Sequence, residues 1–332
     1  MAQVTSAADR AGSSAGRRPA ARVRATVFGL DVHSEIALSL LGGSTAKPTG
    51  RALEISVHGT DAAQFEWPRP AELVSDDHQP DGSLIFQIEA HSEAGYLISG
   101  PDYGAHWLSA SGRLLRCAPE GLPDDAWQRL LIAQVLPFAA LLQGLEVFHA
   151  SAVIHRGEAV AFLGPSRAGK TSLALELCRR GASFLADDVL ALELRAEGLL
   201  AHPGTPIAGV AHEAGRSSGP DEFALEEIIA INTRERLVRM AGATEPAPLA
   251  ALFFLDRRAD GPPHPHFEPA ADAQMLLTAT FNFVLATPER LRGLLDVCAR
   301  AARLRVERIL VGPAMDACEL GAAVEQRLSS TT

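Results

Sequence analysis

The chain has few cysteines and no pairing pattern among them. Cys117, Cys178, Cys298 and Cys318 stand far apart, and none belongs to a C-x-x-C pair. Neither a zinc site nor a disulfide framework is expected from such spacing. A reducing, cytoplasmic setting is the plain expectation. Positive charge is also in deficit: 30 Lys and Arg stand against 40 Asp and Glu, for a net charge of −10. A general nucleic-acid surface is not expected on such a chain. No run of about 18 apolar residues occurs, so no membrane-spanning helix is predicted. The first 22 residues are rich in Ala, Ser, Gly and Arg and lack an apolar run. They do not read as a secretory signal, and a disordered tail is expected there. What the chain has in quantity is apolar side chains, 47% of the total, with 21% charged. That suits a well-filled core, and 332 residues suit two domains or one large one.

From Val23 to about Glu120 the texture is that of β-structure. Short apolar or alternating runs fall at Val23–Phe28, Ile36–Leu41, Leu53–Val57, Leu84–Glu89, Tyr96–Ser99 and Arg113–Cys117, with turn-formers between them. Asp76-Asp77-His78 lies among turn signals and reads as a solvated loop. Pro123-Asp124-Asp125 opens an apolar helix, Trp127–Leu142, with Asp124 or Asp125 as its cap and a kink or break at Pro137. The texture then alternates between α and β. The expected division is a tail over 1–22, a mostly antiparallel β-rich N-terminal domain over 23–120, and an α/β domain over 121–332.

The most informative stretch is Ala159–Cys178. Ala159–Leu163 is a short apolar run of the size of a buried strand. Gly164-Pro165-Ser166-Arg167-Ala168-Gly169-Lys170-Thr171 fits G-x-x-x-x-G-K-[ST], and Ser172 follows. The next residues carry Leu173, Ala174, Leu177 and Cys178 at helical spacing and stop at Gly181, a good helix end. Strand, glycine-bounded loop and helix form the context that distinguishes a phosphate-binding loop from a plain turn. The two glycines let several N–H groups converge on one anion. The helix start adds its unpaired N–H groups and the positive end of its dipole. Lys170 is placed for the terminal phosphates of a nucleotide and the Thr171 hydroxyl for Mg²⁺.

A second strand–turn–strand follows at Ala182–Leu192, with Asp187-Asp188 at its centre. These carboxylates come 17 and 18 residues after Lys170. A nucleotide–Mg²⁺ site needs one acid in or near the metal shell and another to take a proton from an incoming hydroxyl.

Taken together, His149, Gly164–Ser172, Arg180-Gly181 and Leu185-Ala186-Asp187-Asp188 resemble HPr kinase/phosphorylase and its relatives. That family has a His about twenty residues before the loop Lys, a G-x-S-x-x-G-K-[ST] loop, an Ala-Leu-Glu-Leu helix ending in Arg-Gly, and an Ala-Asp-Asp strand end. Ser166 stands at the loop serine and Ala174–Leu177 in the helix. The likeness is dense from His149 to Asp188. It is thin but continuous beyond, over the strands Ala250–Asp256 and Leu304–Val311 and the helix Leu276–Val284. The β-rich front and His149-Ala-Ser-Ala-Val153 look like a divergent branch. Some members of that branch lie in gene clusters for ribosomally made peptides, lasso peptides included, and phosphorylate the precursor. The resemblance implies an ATP- and Mg²⁺-dependent kinase domain of HPr-kinase/PEP-carboxykinase-like type. It implies Asp187 as the proton-shuttling base, His149 as the residue that contacts this Asp, Lys170 on the transferred phosphate, and Asp188 with Thr171 at Mg²⁺. The two Asp roles can also be exchanged.

The family's second signature, Leu-Glu-Ile-Arg-Gly-Leu-Gly, is absent, which puts the phosphorylase half of that activity, and HPr as substrate, in question. In its place stands His202–Arg216, where Glu213 is a candidate metal acid and Arg216 a candidate phosphate contact. A flexible loop, Gly215–Gly219, is the plainer reading. Arg167 stands where the family often has Gly. Further on, Asp221–Ile231 reads as a helix and Leu249–Leu255 as a buried strand. Thr233–Arg236 with Arg239 reads first as a solvated charged face, with reception of an acidic nucleotide or peptide as the alternative. Arg257–Pro269, with His264 and His266, reads as a surface loop. Asp272–Ala286, Pro288–Ala302 and Ala314–Leu328 read as helices.

The expected function is phosphoryl transfer from ATP to a Ser or Thr hydroxyl of a peptide or protein. A small-molecule kinase or PEP-carboxykinase-like enzyme is one alternative, and a non-catalytic nucleotide-responsive binding module is another. Neither nucleic acid nor a membrane is an expected partner, and a homo-oligomer remains an open option.

Overall fold

The computed structural model describes residues 23–41, 47–57, 67–119, 121–211, 227–231, 235–270, 273–280 and 287–330, and only the backbone of 124, 231, 273 and 274. It is mixed α/β, with large sheets and few helices. Strands β1 (Val23–Val27), β2 (Leu30–Ser34), β3 (Ala52–Val57), β4 (Glu72–His78), β5 (Leu84–His91), β6 (Gly95–Gly100), β7 (Gly104–Leu108) and β8 (Leu114–Ala118) form the first sheet. Their order is β1-β2-β3-β8-β7-β6-β5-β4. All neighbours are antiparallel except β2–β3 and β3–β8.

Two of the sequence readings in this region are corrected. Ile36–Leu41 is not a strand. Its Leu38, Leu40 and Leu41 are buried, and the Leu40 N–H donates to Gln128 Oε1 at 3.2 Å instead of to a neighbouring strand. Asp76-Asp77-His78 is not a loop but the end of β4, the edge strand. Exposed charge on an edge strand discourages pairing with another chain.

Helix α1 (Asp124–Leu130) runs through a π-helical turn (Leu131–Val135) into α2 (Leu136–Leu142). The N-cap position is Pro123 and not the expected Asp124 or Asp125. Pro137 is near the start of α2, inside a continuous helical segment, where its missing N–H interrupts the backbone bonding. The wider turn before it takes up the irregularity: the Leu136 N–H reaches back to the Leu131 carbonyl. Trp127, Leu131 and Phe138 belong to one apolar cluster with Leu30, Leu53, Ile98 and Leu115 of the first sheet. The same cluster includes Val147, Val189, Ala191 and Ile207 from beyond the helices.

The second sheet contains β9 (Glu146–Phe148), β10 (Ala150–His155), β11 (Glu158–Leu163), β12 (Ser183–Ala186), β13 (Leu190–Leu194) and β14 (Leu199–His202). It also contains β18 (Ala247–Arg257), β19 (His266–Pro269) and β20 (Arg305–Val311). Its main order is β12-β10-β11-β18-β14-β13-β9, with β20 on β18 and β19 on β20. A small third sheet has the order β15-β17-β16, from β15 (Ile207–Ala211), β16 (Glu227–Ile231) and β17 (Glu235–Arg239). Where a helix was expected over Asp221–Ile231, the described part is thus a strand, paired along β17. Pairing outweighed local pattern there.

Helix α3 (Lys170–Arg179) follows β11. It ends as its sequence predicts: Gly181 has φ 99°, its N–H donates to the Cys178 carbonyl, and the Ala182 N–H donates to the Leu177 carbonyl. This is a Schellman ending. Leu173, Ala174 and Leu177 pack on Val160 and Phe162 of the sheet and on Leu320 and Val324 of α6 (Ala317–Ser329). Of the expected helix Asp272–Ala286, the described part is α4 (Ala273–Thr278). It stops because Ala279 and Thr280 turn to bond the end of β9: the His149 N–H donates to the Ala279 carbonyl, and Phe148 bridges Thr280. Helix α5 (Pro288–Ala301) starts on the Thr287 hydroxyl. No described helix is long and apolar enough to cross a membrane.

Strand direction brings the glycine loop and the acid pair to one edge of the second sheet. β10 lies between β11 and β12 and is antiparallel to both. β11 and β12 therefore run the same way and end at the same edge of the sheet. The loop after β11 and the acids after β12 meet there.

Candidate active site

The loop after β11 bends at glycines. Gly164 has φ 141° and Gly169 φ 103°. At Gly164 a Cβ would lie 2.6 Å from the Leu255 carbonyl oxygen of the neighbouring strand, so glycine is required by space as well as by angle. Pro165, Ser166 and Arg167 are exposed, and Arg167 itself has φ 65°. Ala168 is buried, and its carbonyl accepts from Arg257 Nε at 3.3 Å. Arg257 also donates to the carbonyls of Gly312, Pro313 and Met315. It ties the loop to the segment between β20 and α6. Lys170 starts α3 and folds back over the loop, with Nζ donating to the carbonyls of Gly164 at 3.0 Å and Pro165 at 3.1 Å. Thr171 follows on the inner side, and Ser172 is exposed.

Asp187 is buried, and three donors face its carboxylate. The Ser151 hydroxyl donates to Oδ1 at 2.5 Å, the Thr171 hydroxyl to the same oxygen at 2.8 Å, and the Gly209 N–H to Oδ2 at 3.0 Å. Burial, with the neighbouring Asp188 charge, pushes its pKa up to about 6, against the pull of those three bonds. Asp188 is the middle of a three-residue turn closed by the Val189 N–H on the Asp187 carbonyl at 2.7 Å. Its φ is 61°, a strained left-handed value for a non-glycine residue. The turn sends the two adjacent acids to different partners. Asp187 faces the loop, while Asp188 Oδ2 accepts from Arg129 at 3.3 Å.

His149, just past β9, contacts Lys170 and the backbone of Asp188. Its Nδ1 is 3.0 Å from the Asp188 carbonyl oxygen, and its Nε2 is 3.2 Å from Lys170 Nζ. A carbonyl only accepts and an ammonium only donates, so these partners assign the proton to Nδ1 and the lone pair to Nε2. Burial and the Lys170 charge lower its pKa, against the opposing Asp188 charge. Burial likewise lowers that of Lys170, opposed by Asp188 and Asp187. The resemblance implied a His149 contact with Asp187, and the described hydrogen bonds place the ring elsewhere. Glu213 and Arg216 lie outside the described residues.

Five further residues shape the site and were not read from the sequence: Ser151, Gly209, Arg129, Glu235 and Arg257. Ser151 was visible only as one residue of a strand. Glu235 was visible only within the charged run Thr233–Arg236, and Arg257 only as the start of the stretch read as a surface loop, whereas it ends β18 and holds the glycine loop. Gly209 and Arg129 reach the site from distant segments, and nothing in their local pattern marks them.

The donor set fits a nucleotide with Mg²⁺. Thr171, Asp187 and Asp188 offer hard oxygen atoms, as Mg²⁺ takes. Among the described residues no group of three or more His, Cys, Asp or Glu is arranged as a metal cage. Mg²⁺ is ordinarily held by one or two carboxylates together with substrate phosphates. In such an arrangement the glycine loop and Lys170 would face the phosphates.

No protein-family model matches the sequence. None of the curated protein sequences matches it either. In structure the chain is similar to the Hpr(Ser) kinase/phosphatase from Coxiella burnetii, with 14% sequence identity and a TM-score of 0.28, over 55% of this chain and 93% of that one.

Proposed function

We propose that this protein is an ATP- and Mg²⁺-dependent phosphotransferase acting on a Ser or Thr hydroxyl of a peptide or protein. The observation that carries this reading is the meeting of Thr171 and Asp187 at 2.8 Å, which sets a strand-end carboxylate at the mouth of a lysine-bearing glycine loop. In this reading the loop N–H groups and the start of α3 hold the phosphates. Lys170 leaves the carbonyls of Gly164 and Pro165 for the terminal phosphate. Asp187 accepts the proton of the acceptor hydroxyl as its oxygen bonds to the γ-phosphorus and the bond to the β,γ-bridging oxygen breaks, releasing ADP. A carboxylate with its pKa near 6 suits a general base at neutral pH. His149 holds Lys170 and the turn at Asp188 in place. Asp188 and Thr171 would hold Mg²⁺, which neutralises charge developing on the phosphates. Positioning and charge neutralisation supply most of the rate.

The same Thr171–Asp187 bond favours a second division of labour, in which Asp187 joins Thr171 at the metal and Asp188 takes the proton. A loop hydroxyl beside a strand-end Asp is how a metal shell is assembled in phosphate-loop enzymes. Asp188→Asn abolishes Mn²⁺ binding under the first assignment, and Asp187→Asn abolishes it under the second.

The function is tested by incubating the protein with γ-labelled ATP, Mg²⁺ and Ser- or Thr-containing peptides. Label on a peptide hydroxyl supports the proposal. Label only on small metabolites points to a small-molecule kinase, and nucleotide binding without transfer points to a binding module.

A further inference from the structure

Arg129 comes from the last turn of α1, on a segment whose other side chains, Trp127, Leu130 and Leu131, are core. Its guanidinium crosses to the candidate site. It donates to Glu235 Oε1 at 2.8 Å and to Asp188 Oδ2 at 3.3 Å. The same nitrogen makes both contacts, and its side chain is 24% exposed.

Glu235, on β17, has a second tie to the site. It stands over Gly209: a Cβ on Gly209 would lie 2.5 Å from Glu235 Oε2. The Gly209 N–H in turn holds Asp187 Oδ2. One guanidinium thus touches Asp188 directly and the support of Asp187 indirectly. Three carboxylates, Asp187, Asp188 and Glu235, gather here around two fixed cations, Lys170 and Arg129. Arginine suits such a place because it stays charged and has five donors to share. The two contacts are unequal. The shorter bond, to Glu235, anchors the side chain. The longer one, to the half-exposed Asp188, is the one more readily surrendered.

We propose that Arg129 is a positioning residue for the cation end of the site, standing in for a divalent cation beside Asp188 in the nucleotide-free protein and yielding that carboxylate when metal and nucleotide enter. This inference rests on the metal–nucleotide reading given above. It goes further by assigning a counter-ion that originates in the helix packed against the first sheet. Until metal arrives, Arg129 neutralises an acid held in a strained turn and fixes the direction of its carboxylate. When metal arrives, Arg129 remains on Glu235, so the metal must compete with it for Asp188.

The test is Mn²⁺ binding by the full chain, followed by electron paramagnetic resonance in the presence of a non-hydrolysable ATP analogue. Arg129→Gln removes the competing charge, and half-saturation is expected at about tenfold lower Mn²⁺. Glu235→Gln frees the guanidinium to favour Asp188 and removes a negative charge, so about tenfold higher Mn²⁺ is expected. The double variant restores the local charge balance and returns to within about threefold of wild type. These sizes follow from one unit charge acting over several ångströms at an intermediate dielectric. A folded Arg129→Gln protein with unchanged or weaker Mn²⁺ binding overturns the inference, as does a loss of thermal stability in both single variants with no shift in half-saturation. Should Arg129→Gln fail to fold, Glu235→Gln alone decides, and unchanged binding there overturns it. A wild-type protein that binds no Mn²⁺ with the analogue overturns the underlying metal–nucleotide reading as well. Binding by wild type with no movement in the variants overturns the Arg129 inference alone.

Discussion

The Thr171 hydroxyl donates to the Asp187 carboxylate across 2.8 Å, joining the first turn of α3 to the end of β12. Sixteen residues of sequence separate the two. They meet because β11 and β12 run in the same direction with β10 between them. The contact joins the glycine loop of residues 164–171 and the Asp187-Asp188 pair into one site.

Asp187→Asn should reduce kcat/KM for phosphoryl transfer by about 10²- to 10⁴-fold, the usual contribution of a positioned acid or base. Nucleotide affinity should stay within a few-fold of wild type. Calorimetric titration with the ATP analogue, beside the transfer assay, separates the two. Equal losses in binding and transfer would remove Asp187 from the role of base.

Ser151→Ala should move the acid limb of the pH profile. The base must be ionised, and burial with the Asp188 charge pushes the Asp187 pKa up to about 6. Its bond from Ser151 favours the charged form. Without that bond the carboxylate holds its proton to higher pH, so the acid limb of kcat/KM shifts upward. At pH 7 the expected loss is about 2- to 15-fold, as follows when one hydrogen bond to a charged group raises the pKa by about one to two units. A limb that stays put or moves down contradicts this.

The two loop glycines should respond unequally to alanine. At Gly164 the new Cβ meets a carbonyl oxygen at 2.6 Å, whereas at Gly169 the nearest atom is Arg257 Nη2 at 3.5 Å. Both positions carry positive φ, which costs about 1 kcal/mol or more for any side chain. Gly164→Ala adds a backbone clash and should cost several kcal/mol. Thermal melting of the two variants checks the order.

Glu146→Gln should stabilise the protein at alkaline pH. Glu146 is buried at the start of β9, and Oε1 pairs with Arg290 at 2.8 Å. Oε2 has no hydrogen-bond partner among the described residues. Burial raises its pKa to about 7, against the opposing charge of Arg290. Between about 4.5 and 7 the folded state therefore holds more protons than the unfolded state, and stability falls as pH rises through that window. Gln removes this loss. A gain of up to about 3 kcal/mol is expected at pH 8, shrinking to nothing near pH 4. Denaturant melts at both values provide the measurement.

The legible part of the site was the part built from contiguous sequence. Gly164–Thr171 reads as a loop because a strand and a helix flank it within a few residues, and Gly181 marks the helix end by its geometry. Asp187-Asp188 was legible as a pair, but the split between its partners was not. That depends on one left-handed turn at Asp188 and on Arg129, from a helix 59 residues earlier. Gly209 is locally one small residue in a bland stretch, and only the approach of Glu235 and Asp187 gives it a task. The strand at Glu227–Ile231 was missed because its apolar residues also suit a helix, and pairing with β17 decides between them. Asp76-Asp77-His78 was misread because an exposed edge strand and a solvated loop share the same polar composition.

The most direct measurement is a crystal structure with a non-hydrolysable ATP analogue and Mg²⁺. The account predicts the β- and γ-phosphates within the amides of residues 164–171, Lys170 turned from its own loop onto the γ-phosphate, and an Asp187 oxygen facing the γ-phosphorus. Phosphates bound elsewhere on the molecule, or an Asp187 carboxylate turned away from a phosphate held in the loop, would contradict it.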